Sequence, residues 1–422
     1  MIHYRRDRRR DIPAAIWRQP QEIDLTTHDG PDIERARELH SQAPLIDGHN
    51  DLPWRYRRFT NRALSKIDIA QHQEALHTDI PRLREGGVGG QFWSVFVSQA
   101  MPPEDYVRTT LEQVDVVYNM IRAYPETLEL ALTADDMDRA FRAGRIGSLI
   151  GMEGGHSIDN SLGALRMFAR LGARYMTLTH FKNTDWADSA TDEPAADGLT
   201  PFGQEVVREM NRLGVLVDLS HVSADTMRSA LDTVEAPVVF SHSSARALTG
   251  HPRNVPDDVL DRVRDNNGVV MVSFVPGFSS QEVYVHTQSR DAERQRLDSS
   301  PSSTEESTNA GLEQWDVGHP EPRATLSDVA DHIDHIREVA GIDHIGIGAD
   351  FDGTGSVPVG LEDVSKYVDL TAELVRREYE DGDILKIIGA NVLRVMRAGE
   401  HEAGRIQESR GPSEALIEDL DG

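Results

Sequence analysis

Short apolar runs rich in β-branched residues recur along the chain, and each stops abruptly on polar residues. Eight can be marked: 43-APLIDGH-49, 90-GQFWSVFV-97, 147-GSLIGME-153, 174-RYMTLTH-180, 214-GVLVDLS-220, 237-PVVFSH-242, 268-GVVMVSF-274 and 343-DHIGIGAD-350. Most are continuous rather than alternating, as strands covered on both faces should be. The stretches between them are amphipathic. In 160–173, Leu162, Leu165, Met167, Phe168 and Leu171 recur at helical spacing. In 223–234, Ser223 stands as an N-cap ahead of Asp225 and Thr226. In 325–341, apolar positions 326, 329, 333 and 336 recur every three or four residues, and Gly341 stands at the C-terminal cap. Strand–helix alternation repeated eight times predicts a (β/α)8 TIM barrel over an open sheet.

The barrel is expected over residues 41–400, with 382-GDILKIIGANVLRVM-396 as its last strongly apolar helix. Residues 1–40 are charged and read as an extension packing on the outside, and 401–422 as an acidic C-terminal tail. Residues 279–324, including 302-SSTEESTNAG-311, read as a polar insertion after the seventh strand. It is expected to be a mobile excursion, with a short helix around 288–297.

The strand ends carry the chemistry. The first run ends in His49 and Asp51, the third in Glu153, the fourth in His180; His221 and His242 end the fifth and sixth, and Asp350 the eighth. In a (β/α)8 barrel these ends open onto one face, where catalytic loops assemble. A single histidine there is a cap or surface residue more often than a ligand. His156, His251, His332 and His335 are read that way, because no strand end places them. Seven suitable groups on six strands are hard to obtain by capping alone.

Composition narrows the chemistry. The 422 residues contain no cysteine, so a transition-metal site must use histidine and carboxylate, and a reducing, cytoplasmic setting is the simplest reading. A net charge of −27 argues against a nucleic-acid partner, whose phosphates need a basic face. No apolar run approaches the roughly 20 residues of a spanning helix. The basic start, 1-MIHYRRDRRRDIPAAIWRQP-20, lacks the apolar stretch of a secretory signal, and 411-GPSEALIEDLDG-422 is too polar for a lipid-anchor signal. Basic residues are 40 arginines to four lysines. A salt-loving host would suit that balance, and a soluble acidic enzyme is the plainer reading.

Imidazoles and carboxylates together suit zinc, and two ions need a carboxylate with ligands on both sides. One acid outside the ion set is then needed to move protons. Asp350 is the candidate, because the first and last strands of a closed ring are neighbours. No G-x-S-x-G elbow, P-loop or dinucleotide fingerprint stands out. The glycines of 151-GMEGG-155 are read as giving close backbone access to the site.

The strings 47-DGHNDLPW-54, 151-GMEGGHSID-159, 175-YMTLTH-180, 217-VDLSHVS-223, 239-VFSHSSARAL-248, 252-PRNVPDD-258, 346-GIGADFDG-353 and 388-IGANVLRV-395 resemble the membrane (renal) dipeptidase family over residues 40–398. The resemblance implies a barrel of the metallo-dependent hydrolase type with two Zn2+ per chain. It implies hydrolysis of dipeptides, including those with a D-residue at the C-terminal position, by water activated between the ions. His49 and Asp51 would hold one zinc, His221 and His242 the other, and Glu153 would bridge them. His180 would contact the substrate and support the tetrahedral intermediate, Arg253 would hold the substrate carboxylate, and Asp350 would transfer the proton and meet the amino end. Trp54 would wall the pocket near that end. A homodimer is implied too. The animal members are secreted, lipid-anchored and disulfide-linked, which nothing in this sequence supports, and a tyrosine of theirs is Phe278 here.

Two other readings compete. Barrels acting on cyclic amides, lactones or nucleobases commonly carry His-x-His on the first strand and a carbamylated lysine as the bridge. Here the first strand carries His49 and Asp51, and none of the four lysines ends a strand. A peptide-binding or metal-storing barrel without catalysis is the second, and the presence of Asp350 and His180 beside the ligand set argues against it.

Overall fold

The computed structural model of the chain describes residues 30–300 and 302–422. Among these residues there are nine parallel strands: β1 Leu45–Asn50, β2 Val88–Ser94, β3 Leu128–Leu130, β4 Ile146–Met152, β5 Ala173–Thr177, β6 Leu216–Asp218, β7 Val239–Phe240, β8 Val269–Val272 and β9 Ile345–Ile347. They run in the order β2-β1-β9-β8-β7-β6-β5-β4, and β4 pairs back onto β2 from Gly90↔Gly147 to Ser94↔Gly151, which closes an eight-stranded barrel. Helices surround it, so the fold is the (β/α)8 barrel that the alternation predicts.

Each of the eight apolar runs holds one barrel strand. β3 is not among them. It pairs with the start of β4 (Leu128↔Ile146 to Leu130↔Ser148), on the edge that β5 takes further along at Ile150–Met152. Three residues are too few to show a period.

One apolar cluster joins Ile46, Phe92, Leu149, Tyr175, Leu216, Val239 and Met271 of the strands to Val392, Leu393 and Met396 of the last long helix. That helix closes the barrel at the N-terminal ends of the strands, where Asn391 Nδ2 donates to the carbonyls of Ile342 and Ile345. It opens as Asp381–Leu385, widens into a π turn over Lys386–Ala390 and continues over Asn391–Ser409, well into the stretch read as a tail. The end of the chain is also anchored. Asp421 accepts hydrogen bonds from Thr200 Oγ1 and the Phe202 backbone N–H, at the start of helix Pro201–Leu213.

Of the extension, residues 1–29 lie outside the described residues; Pro31–Gln42 is a helix whose Ile33 and Ala36 pack on Val368 and Ala372. The polar insertion is a hairpin of two helices, Gln281–Asp298 and Glu305–Gly318. Arg290 forks onto Asp316 at 2.8 and 3.0 Å, Thr308 donates to Asp298 at 2.6 Å, and only Val283, Thr308 and Leu312 are buried. Polar pairs rather than an apolar stripe hold it, so its periodicity is invisible in the sequence. His332 is no surface residue: it is fully buried, accepting from Ala245 N and facing the Ser279 carbonyl, each at 3.0 Å.

Candidate metal centre

The C-terminal ends of the strands converge as the alternation requires. His49 lies within β1 and Asp51 just past it; Glu153 follows β4, His180 and His221 stand three residues beyond β5 and β6, His242 two beyond β7, and Asp350 three beyond β9. Pairing between β1 and β9 continues past the strands, through Asp350 N to His49 O at 3.2 Å and Asp51 N to Phe351 O at 2.9 Å. That continuation sets Asp51 and Asp350 side by side. His221 and Asp350 both hold positive φ (68° and 66°), a costly region for non-glycine residues that recurs at functional sites.

Glu153 is the centre of the array. Its Oε2 lies 3.5 Å from His49 Nε2 and accepts from Ser94 Oγ at 3.1 Å. Its Oε1 lies 3.1 Å from His221 Nε2, 3.5 Å from His180 Nε2 and 3.7 Å from His242 Nε2. His49 Nε2 also stands 3.3 Å from Asp51 Oδ2, and the Nε2 atoms of His221 and His242 are 2.9 Å apart. Three overlapping groups of donor atoms could each hold an ion: His49 with Glu153 and His242, Glu153 with His180 and His221, and His49 with Asp51 and Asp350.

These residues fit a divalent cation on three counts. Donors around a tetrahedral zinc at about 2.0–2.2 Å would stand roughly 3.3 Å apart, the spacing seen here. His49 Nε2 and Asp51 Oδ1 are buried with no hydrogen-bond partner among the described residues, a costly state for polar atoms unless something is bound there. A Cβ at Gly353 would run into Asp350 Oδ1 and Asp51 Oδ2, so glycine keeps that wall open.

The imidazoles are also oriented as ligands. Tyr175 Oη donates to the Gly48 carbonyl at 3.1 Å and so accepts from His49 Nδ1 at 2.9 Å, which leaves the His49 Nε2 lone pair facing Glu153. Burial, aided by Arg253 and neighbouring imidazoles, holds His221 and His242 well below the usual histidine range, in the neutral form that binds metals. Burial works to raise Glu153, but His49 and His180 outweigh it and keep the carboxylate ionised. Burial likewise opposes charge on His49, yet Tyr175, Glu153 and Asp51 draw a proton to it; a cation at Nε2 would satisfy the same carboxylates. Asp350 is pushed well above the carboxylate range by burial, with Asp51 and Glu153 adding to it against His49 and Arg253.

A cleft of about 360 Å³ opens over the array, lined by Trp54, Phe96, Phe181, Val275, Phe278 and Thr354 as well as site residues. The buried Arg253 reaches it from the loop after β7. Its guanidinium donates to Ser243 Oγ and the His242 carbonyl, each at a long 3.4 Å, and its Nε has no partner among the described residues. Burial lowers its pKa to about 10, against the pull of Asp350 and Glu153, so it remains a cation at neutral pH. The Phe278 ring lies 5.1 Å from its Cζ, and Trp54 meets Phe96 edge-on at 4.8 Å.

All nine residues singled out in the sequence thus stand at or beside this cleft. Sequence reading missed Ser94, Tyr175, Phe96 and Phe181. Ser94 and Tyr175 sit inside strands, with no signal apart from their strand-mates. It also misread 151–155: Cβ atoms there would strike Tyr175 at Gly151, His156 at Gly154 and Trp186 at Gly155, so the glycines serve packing.

The family model described as membrane dipeptidase (peptidase family M19) matches residues 33–410. Solved structures are also similar. The probable dipeptidase PvdM from Pseudomonas aeruginosa shares 26% identity at a TM-score of 0.77, over 88% of this chain and 99% of its own. A metallopeptidase described as dipeptidase AC shares 25% at 0.70, over 85% and 98%. A metallopeptidase from Rhodobacter sphaeroides, liganded with a phosphinate mimic of the dipeptide L-Ala-D-Ala, shares 24% at 0.70, over 85% and 99%, and adds likeness of fold.

Proposed function

The chain belongs to the membrane dipeptidase family, peptidase family M19, and from that premise we propose that it hydrolyses dipeptides, L,D-dipeptides among them, with a pair of zinc ions. The observation that carries this reading is the two-sided placement of Glu153, one oxygen toward His49 and the other toward His221 and His242. In it, His49 and Asp51 would hold one ion and His221 and His242 the second, with Glu153 placed to serve both. Zinc bound there would polarise the peptide carbonyl and bring the pKa of a water toward neutrality.

The chain's own groups do the rest. Arg253, buried and short of strong partners, takes the substrate carboxylate. His180 supports the charge that develops on the carbonyl oxygen. Asp350 carries a proton to the leaving amine and meets the substrate's amino end. Trp54 and Phe96 wall the cleft, whose volume suits a ligand of dipeptide size. A phenylalanine at 278 offers no hydroxyl, so a polar contact is lost on that side. A cytoplasmic setting and a homodimer belong to the same proposal; cell fractionation and light scattering check them.

A panel on metal-quantified protein tests the reading. It should hold L-Ala-L-Ala, L-Ala-D-Ala, their C-terminal amides, a tripeptide and a cyclic amide. Cleavage of the free dipeptides, with weak or no cleavage of the rest, is expected. Preference for the cyclic amide would overturn it.

A further inference from the structure

Four hydrogen bonds converge on the buried carboxylate of Asp218, the last residue of β6. The backbone N–H groups of Ser220 and Ser241 donate to Oδ1 at 3.0 and 2.8 Å. The hydroxyls of Thr177 and Ser241 donate to Oδ2 at 2.5 and 2.6 Å. A serine hydroxyl has one hydrogen and a carboxylate can only accept, so the hydrogen of Ser241 is committed to Asp218. Ser241 Oγ also lies 2.8 Å from His242 Nδ1. It must be the acceptor there, with the ring hydrogen on Nδ1. The Nε2 lone pair of His242 then faces His221 and Glu153.

We propose that Asp218, acting through Ser241, is a positioning residue that fixes the ligand tautomer of His242 and thereby sets the affinity of the ion shared with His221. The proposal rests on the reading of His242 as a ligand. The parallel contact on His49 runs through Tyr175 and ends on the neutral Gly48 carbonyl, whereas this one ends on a carboxylate. The ring is held from its backbone as well, since His242 N donates to Ser220 Oγ at 3.0 Å within the same cluster. Partners of this kind orient the ring and raise its basicity.

Replacing one atom reverses the relay. In Asp218→Asn the amide oxygen keeps both backbone N–H groups, while the amide NH2 takes the place of Oδ2 and donates to Ser241 Oγ. The hydroxyl then turns its hydrogen to His242 Nδ1, and the ring proton moves to Nε2, where it blocks the lone pair. Ser241→Ala only removes the link and leaves both tautomers accessible.

The test is a titration of metal-free protein with Zn2+ against a chromophoric chelator, with the thermal midpoint of each metal-free variant recorded beside it. Ser241→Ala should weaken one of two ions by about 10- to 100-fold and leave the other nearly unchanged. Asp218→Asn should weaken the same ion further. Asp218→Asn binding as tightly as Ser241→Ala, or a loss spread equally over both ions, would overturn the proposal. Should Asp218→Asn not fold, Ser241→Ala decides alone, and affinity equal to the unsubstituted protein overturns it. An unsubstituted protein that binds no Zn2+ overturns the metal reading instead.

Discussion

Tyr175 Oη stands 2.9 Å from His49 Nδ1, and the tyrosine is fully buried inside the barrel. Tyr175→Phe should keep the fold but leave the His49 N–H and the Gly48 carbonyl without their partner. The expected cost is about 1–3 kcal/mol of stability and roughly 10- to 100-fold in metal affinity. Urea unfolding and chelator competition read the two effects separately; unchanged metal affinity would show that the contact does not orient His49.

Gly353 borders both Asp51 and Asp350. Gly353→Ala would press a methyl group against the two carboxylates. Relieving that contact moves the carboxylates by about an ångström, which is expected to lower kcat/KM by about 100-fold. Circular dichroism should remain that of the unsubstituted protein, and full activity would mean that neither carboxylate is held in place by that wall.

Asp350→Asn separates proton transfer from metal binding. Asp350 shares a donor group with His49 and Asp51, so both roles are within its reach. The proposal expects two ions retained and most turnover lost, read by metal analysis and a steady-state assay on the same sample. Loss of an ion would make Asp350 a ligand.

Stability should fall with acid for reasons remote from the site. His40 and His332 are buried in neutral form, and burial lowers the pKa of each to about 4. His40 faces the Gly86 carbonyl at 3.1 Å and Thr371 Oγ1 at 2.8 Å. An unfolded histidine binds its proton near 6.5. Between those values the unfolded chain carries more protons, so stability drops as pH falls through 6.5 toward 4. Each residue should contribute a loss of about 2 kcal/mol between pH 7 and 5. Urea midpoints at the two pH values measure it, and His332→Gln should remove its share of the slope. A midpoint that does not move would contradict the assignment.

The barrel and the polar groups gathered at its mouth were legible for one reason. Parallel strands buried on both faces write themselves as unbroken apolar runs, and their polar ends then fall on one rim. His49, Glu153, His221 and His242 could be placed on that rim from the runs alone. What lay hidden depends on contacts between strands. Tyr175 and Ser241 look like ordinary strand or loop residues until the closed barrel brings β5 within reach of β1 and β7 is laid beside β6. His332 looks like a surface histidine because its partners, Ala245 and Ser279, lie far along the chain. The insertion looked mobile because ion pairs such as Arg290–Asp316 leave no apolar period.

The most direct measurement is dipeptide hydrolysis during metal add-back, on chelator-stripped protein and on Glu153→Gln in the same assay. Activity of the unsubstituted protein should rise with added Zn2+ to a break at two ions per chain, and Glu153→Gln should neither hold the pair nor turn over. Full activity in the stripped protein, or in Glu153→Gln, would contradict the account.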